Sequence, residues 1–162
     1  MRGGSKFTNM VKNGMKSGKA QYYIIDAKGQ VPGRISTTVT QILQGKHKPT
    51  YNPERWHEGD NVIIVNAKHI RQTGTKWSRK LYRYHSGYLG GLKEITTGDM
   101  HEKDPTFIIR RTIQRQLPKG RKRKAAMNKL YVYPEETHNM KSEKPIEIDM
   151  EIEKKIPFMK QL

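Results

Sequence analysis

Two short apolar runs set the strongest constraint on how this chain can fold. Residues 21–26 read QYYIID and residues 61–67 read NVIIVNA. The first is aromatic and β-branched and ends at Asp26, the signature of a strand. The second is apolar without a break over 62–65, as expected of a strand covered on both faces. Between them Ile35, Val39, Ile42 and Leu43 recur at i, i+4, i+7 and i+8, one face of a helix. Pro32 suits the first turn of that helix, after a turn over 27–31 that contains Gly29. Gly45 suits its C′ stop, followed at once by the compact basic turn Lys46-His47-Lys48-Pro49. Strand, helix, strand predicts an α/β layer architecture.

Beyond the second strand the pattern is less regular. A short turn or helix is expected over 68–70, and a basic, glycine-containing loop over 71–80 (RQTGTKWSRK). The stretch 81–93 (LYRYHSGYLGGLK) interleaves Tyr82, Tyr84 and Tyr88 with Arg83, His85 and Lys93, beside Gly87, Gly90 and Gly91. Asp104 and Pro105 read as N-cap and N1 of a further helix. Ile108, Ile109, Thr112, Ile113, Gln116 and Leu117 form its apolar stripe, with Arg110, Arg111, Gln114 and Arg115 on the other side. The helix is expected to end at Pro118-Lys119-Gly120. The unbroken basic run 121–124 follows, then a short helix over 125–130 and a short strand over 130–133.

Charge decides which partners are plausible. The 162 residues hold 32 Lys and Arg against 15 Asp and Glu, a formal net charge of +17. The length suits one domain, at roughly 100–200 residues each. The charge is uneven: residues 1–134 hold 27 bases and 8 acids, whereas 135–162 hold 5 bases and 7 acids. A basic excess well above the ~2–8 charges of ordinary small domains calls for a polyanion, nucleic acid or an anionic membrane surface. No run approaches the roughly 18 apolar residues of a membrane span, so none is expected. The chain has no Cys, which excludes disulfides, thiolate metal sites and Cys nucleophiles. Three parts are expected: a basic N-terminal arm over 1–20, a core domain over 21–134, and an acidic-leaning extension over 135–162. The arm carries five bases and no acid, compatible with an organellar targeting segment or with an arm that folds on RNA. The extension is expected to wrap a surface or to order on binding, meeting neighbouring proteins or folding back over the basic domain.

Enzymatic signatures are absent. There is no H-E-x-x-H, no phosphate-binding G-x-x-x-x-G-K-[ST], no G-x-S-x-G and no G-x-G-x-x-G. The six His show no metal-ligand spacing. Glu54, Glu58 and Asp60 read as a solvated turn before the second strand. No catalytic residue, metal or cofactor is therefore expected. Nucleic-acid chemistry is better served. Lys and Arg meet phosphates, Tyr offers a stacking face, and Gly lets backbone approach a phosphate closely. Residues 79–93 hold all three ingredients. Lys119, Gly120, Arg121, Lys122, Arg123 and Lys124 add a phosphate-binding candidate beside a helix end, and Arg110, Arg111 and Arg115 a basic helix face.

The motifs GRIS, TTVTQILQGKHKPTYNP, GDNVIIVNA, TGTKW, YHSGYLGGLK, LPKG and KLYVY, in this order, resemble the ribosomal protein L-thirteen family of the large subunit. The resemblance covers about residues 22–133. It implies a small three-layer α/β/α domain with a mostly parallel central sheet, and a non-enzymatic component that binds large-subunit rRNA beside neighbouring ribosomal proteins. It implies rRNA contacts at Arg34, Lys46, His47, Lys48, Lys76 and Lys80, at His85, Ser86, Gly87, Tyr88, Gly90 and Gly91, and at Lys119 with the basic run after it. Pro32-Gly33 before Arg34, Trp77, Asp104-Pro105 and the extensions resemble mitochondrial members, with another organelle or a bacterial-type ribosome as the alternative. Arg115-Gln116 stands where the family pattern has a Gly-Met pair before Leu-Pro. Two other classes stay open from the residues alone. One is a nucleotide-using enzyme with an anion site at 29–33, the other an extra-ribosomal interaction protein acting through the acidic extension.

Overall fold

The computed structural model describes residues 20–49, 51–54 and 58–148. The arm expected over 1–20 (Ala20 apart) and the extension beyond 148 lie outside the described residues. The elements run β1 (Tyr22–Asp26), α1 (Pro32–Leu43), β2 (Asn61–Val65), a 3-10 turn (Ala67–His69), α2 (Lys76–Arg79), β3 (Leu81–His85), β4 (Leu92–Thr96), α3 (Thr97–Lys103), α4 (Phe107–Gln116), α5 (Arg121–Met127), β5 (Leu130–Val132), a second 3-10 turn (Lys141–Glu143) and β6 (Ile146–Glu147). The main sheet has the order β5-β2-β1-β6, and each neighbouring pair is parallel. The antiparallel pair β3-β4 stands apart as a second, two-stranded sheet. The α/β class with a mostly parallel sheet is as the sequence predicts.

The apolar pattern places β2 at the centre. Val62, Ile63, Ile64 and Val65 are all buried, so both faces of that strand are covered. Its register sets Tyr23 beside Val62 and Ile25 beside Ile64, with Leu130 and Val132 on the far side. These side chains pack with Ile35, Val39 and Ile42 of α1 and with Ile108, Ile109 and Ile113 of α4 in one cluster. Each fully buried Ile is worth about 1.5–3 kcal/mol, so this cluster is the main favourable contribution to folding. Among the described residues no helix is long and apolar enough to cross a membrane.

α1 ends as its sequence dictates. The Lys46 N–H donates to the Gln41 carbonyl at 2.9 Å and the Gly45 N–H to that of Ile42 at 2.9 Å. That pair is a Schellman motif, and it needs the left-handed φ of +73° at Gly45.

Several expectations change. β2 stops at Val65, because Asn66 turns left-handed and Ala67 opens a 3-10 turn. The expected loop over 71–80 contains the single turn α2. Asp104 and Pro105 do not start α4; the helix begins at Phe107 after Thr106. Asp104 closes α3 instead, and its Oδ1 accepts from the Thr106 N–H and hydroxyl at 2.9 and 2.7 Å. α3 itself carried no expectation, although the Thr96 hydroxyl caps it by accepting from the Asp99 N–H. Gln116 leaves the apolar stripe: it is exposed and donates to the Thr37 hydroxyl at 3.3 Å. The basic run 121–124 is the first turn of α5 rather than a loop, so that helix starts before residue 125. Finally, Ile146–Glu147, inside the expected extension, adds a strand to β1, and Ile148 is buried beside it. Two residues among charges are too short to give a strand signal in sequence.

One close approach makes a sharp test. A Cβ on Gly59 would lie 1.8 Å from the Leu43 carbonyl oxygen, between α1 and the start of β2. Gly59→Ala is expected to cost at least about 2 kcal/mol, since backbone must move to relieve an overpacked core position. Urea unfolding monitored by circular dichroism measures this, and an unchanged midpoint would contradict the packing described.

Candidate nucleic-acid interface

The basic turn after α1 is organised by a carboxylate the sequence reading left in solvent. Asp60 is fully buried rather than part of a solvated turn. Lys48 Nζ donates to its Oδ1 at 2.6 Å, and the Gln21 N–H donates to the same oxygen at 3.0 Å. His47 Nε2 lies 2.7 Å from Oδ2. An ionised carboxylate only accepts, so this ring nitrogen carries the proton. Lys48 also donates to the Glu58 carbonyl at 2.9 Å. Burial alone would raise the Asp60 carboxyl, but the hydrogen bonds from His47, Lys48 and Gln21, with the Lys48 charge, outweigh it and leave it below its ordinary value. The same burial lowers the neighbouring Lys129 ammonium, which donates to the Gly59 carbonyl at 2.5 Å. Tyr23 closes the cluster edge-on to the His47 ring, with centroids 5.7 Å apart. Its phenol is pushed up to about 12, by burial first and then by Asp60.

His47 and Lys48 therefore face inward. The His47 side chain is only 3% exposed and Lys48 is tied at two points, whereas Lys46 between Gly45 and His47 is exposed. Of the three residues expected to meet rRNA in this turn, Lys46 is the one presented to a partner.

The β3-β4 hairpin is anchored at its base and open at its tip. Tyr82 packs edge-on to Phe107 of α4, with centroids 5.2 Å apart. Lys80 sits 5.4 Å above the Tyr82 ring, and buried Thr97 holds the Lys80 carbonyl through its hydroxyl and its N–H. Towards the tip, nothing among the described residues covers the side chains. Tyr84 is 67% exposed, Tyr88 80%, and Leu89 fully exposed. Register pairs Tyr84 with Lys93 on one face, and Arg83 with Glu94 and His85 with Leu92 on the other. Arg83 Nε donates to Glu94 at 2.5 Å, so its charge is partly answered within the hairpin. His85 Nδ1 accepts from the Gly87 N–H at 3.0 Å and stiffens the turn, in which Ser86 closes on Gly91.

The remaining sequence candidates fall into two groups. Arg34, Lys76, Arg110, Arg115, Lys119, Gly120, Arg121 and Lys124 are exposed. Others, exposed Lys122 among them, make structural bonds. Arg123 donates to the Leu117 carbonyl at 2.9 Å, Lys122 to the Pro53 carbonyl at 3.1 Å, and half-buried Arg111 to Gln114 at 3.0 Å. Sequence reasoning missed Asp60, whose only signal is its place between Gly59 and a strand buried on both faces.

Carboxylates gather at the C-terminal ends of β1 and β2, near where His101 of α3 meets the Lys68 carbonyl. Asp26, Glu136 and Glu147, with His138 and Lys141, line a cavity of about 320 Å³ at the C-terminal ends of β1 and β2. An α/β sheet binds nucleotides at that end, and carboxylates there repel phosphates. The expected anion loop is also committed elsewhere: the Gly29 N–H donates to the His69 carbonyl and the Gln30 N–H to that of Ala27. The nucleotide-enzyme reading has no site to stand on among the described residues. Nor do three or more potential metal ligands converge among them.

The chain is similar to known proteins. The family described as Ribosomal protein L13 matches residues 20–139. Large ribosomal subunit protein uL13 of Thermotoga petrophila is 45% identical over 130 residues, 79% of this chain and 87% of the relative. Proteins of the same name from Dictyoglomus thermophilum and a Thermoanaerobacter species are 42% identical over 132 residues and 40% over 133, each covering 82% of this chain and 92% of the relative.

The Asp60 cluster carries a prediction with a sign. Asp60→Asn leaves the Lys48 ammonium without its counter-charge and the His47 ring without a carboxylate acceptor, and is expected to cost about 3–5 kcal/mol near pH 7. A carboxyl held below its ordinary value stabilises the fold above that value and loses the contribution as pH falls through its folded pKa. The gap between wild type and variant should therefore narrow below about pH 4. Urea unfolding across the acid range checks this, and a gap that widens on acidification would contradict it.

Proposed function

The chain belongs to the ribosomal protein L13 family, and from that premise we propose that it is a structural constituent of the large ribosomal subunit. Its role is to hold rRNA, supporting subunit assembly and translation, and not to catalyse. The observation that carries this reading is a division of charge. Exposed bases and tyrosines gather on the turn after α1, on the hairpin and on α5, whereas Asp26, Glu136 and Glu147 line a cavity of their own.

Phosphate neutralisation supplies the affinity, through Lys46, Lys76, Lys80, Lys93, Lys119, Arg121 and Lys124, with Arg34, Arg110 and Arg115 on the helices. Stacking supplies the fit, through Tyr84 and Tyr88 on bases left unpaired. Neighbouring large-subunit proteins would meet the acidic end, where RNA is disfavoured. We further place the chain in a mitochondrial ribosome. The acid-free segment 1–20 and the pairs Pro32-Gly33 and Asp104-Pro105 support this. These relatives are bacterial, so a bacterial-type ribosome is the competing location. Co-sedimentation with mitochondrial large subunits distinguishes the two.

Adjacent lysines of one turn test the binding model. Lys46→Ala should reduce the slope of log affinity against log salt by about one in filter binding to large-subunit rRNA fragments, with unfolding unchanged. Lys48→Ala should lower stability, by removing a partner of buried Asp60. The reverse pattern, or a Lys46→Ala variant with the full salt slope, would contradict the assignment.

A further inference from the structure

A second cavity, of about 410 Å³, opens beside the basic turn. It lies between the end of α1, the loop at 51–54, the end of α4 and α5. Its walls are apolar: Leu43, Leu117 and Ala126 are buried core residues, and Pro53 and Pro118 flank them. Tyr51 stands at the wall, 40% exposed. Lys46 and Lys122 stand on the rim with Gln44 and Gln116, and among the described residues no carboxylate lines it. Two basic patches remote in sequence, the turn after α1 and the first turn of α5, thus face one concavity.

We propose that this cavity takes a single unpaired rRNA nucleotide, its base stacked on Tyr51 and its flanking phosphates on Lys46 and Lys122. This rests on the rRNA-binding reading and sharpens it at one place. The volume falls in the roughly 300–1,000 Å³ range of small-ligand sites, which are apolar with a few polar groups. A nucleobase fits that chemistry: an apolar face for the walls and a polar edge for side-chain amides. Gln116 is held at the mouth by its bond to Thr37, and Gln44 lies on the same rim. An amide both donates and accepts, so it pairs with a base edge as an ammonium alone does not. Lys122 uses one of three donors on the Pro53 carbonyl, which positions the ammonium and leaves two for phosphate. The surrounding charge selects a polyanion, and the concavity selects a base turned out of its helix, because a duplex keeps its bases stacked inside. Gln116, which departs from the family pattern, then has a place in the site.

The test uses the full chain and three probes at fixed salt: a uridine heptamer with one central 2-aminopurine, the same heptamer with an abasic residue at that position, and a large-subunit rRNA fragment. The 2-aminopurine oligomer should be quenched on binding and should bind about tenfold more tightly than the abasic one. Tyr51→Ala should abolish the quench and weaken binding by the same factor, while Tyr51→Phe keeps both. Circular dichroism should show both variants folded. Equal affinity for the abasic oligomer, or a quench that survives Tyr51→Ala, overturns the nucleotide pocket while leaving rRNA binding intact. Failure of the rRNA fragment to bind as well would overturn the rRNA reading itself.

Discussion

Asp60 is the point on which this structure turns. It lies just before the central strand, with no exposure to solvent, and a lone buried carboxylate is costly. Three groups offset that cost: the Lys48 ammonium, the His47 ring and the Gln21 N–H before β1, itself held by sheet pairing of Gln21 with Asn61. The carboxylate thus joins the starts of both inner strands to the turn that follows α1. Its own N–H reaches back to the Ile42 carbonyl, and Gly59 lies against that of Leu43. The link from helix to strand is therefore fixed over several residues at once. The exposed Lys46 and the Tyr51 cavity are presented by a loop that this network ties down.

The same network divides the basic residues by role. Some of the positive charge is structural: Lys48 answers Asp60, Lys129 caps the Gly59 carbonyl, and Arg123 caps that of Leu117. What remains at the surface is spread over loops, a helix face and a projecting hairpin, while carboxylates gather at the C-terminal ends of the strands. The hairpin contributes what a helix face does not: side chains on both faces of a thin ribbon, rooted by Tyr82 against Phe107 and free beyond it.

The sheet and its first helix were legible because burial leaves a pattern. β2 is buried on both faces and reads as an unbroken apolar run, and α1 shows its stripe between Pro32 and Gly45. Elements held by few or special bonds left less. α2 is a single turn, α3 rests on a threonine cap, and β6 is two residues among charges. The basic run 121–124 gave no sign of helix by pattern, since a wholly polar turn has no apolar stripe. For the candidate interface, composition singles out segments. It could not separate exposed Lys46 from inward His47 and Lys48, because their roles depend on a carboxylate 12 and 13 residues away. Tyr51, Gln44 and Gln116 come together only in three dimensions.

The central claim is that RNA meets the basic turn, the hairpin and α5, and not the carboxylate-lined end of the sheet. Ultraviolet crosslinking of the full chain to large-subunit rRNA, with the crosslinked residues identified by mass spectrometry, tests it most directly. The account predicts crosslinks at Lys46, Tyr84, Tyr88 and within 119–124, and none at Asn66, His138 or Lys141. Crosslinks concentrated at those last three residues, with the hairpin tip silent, would contradict it.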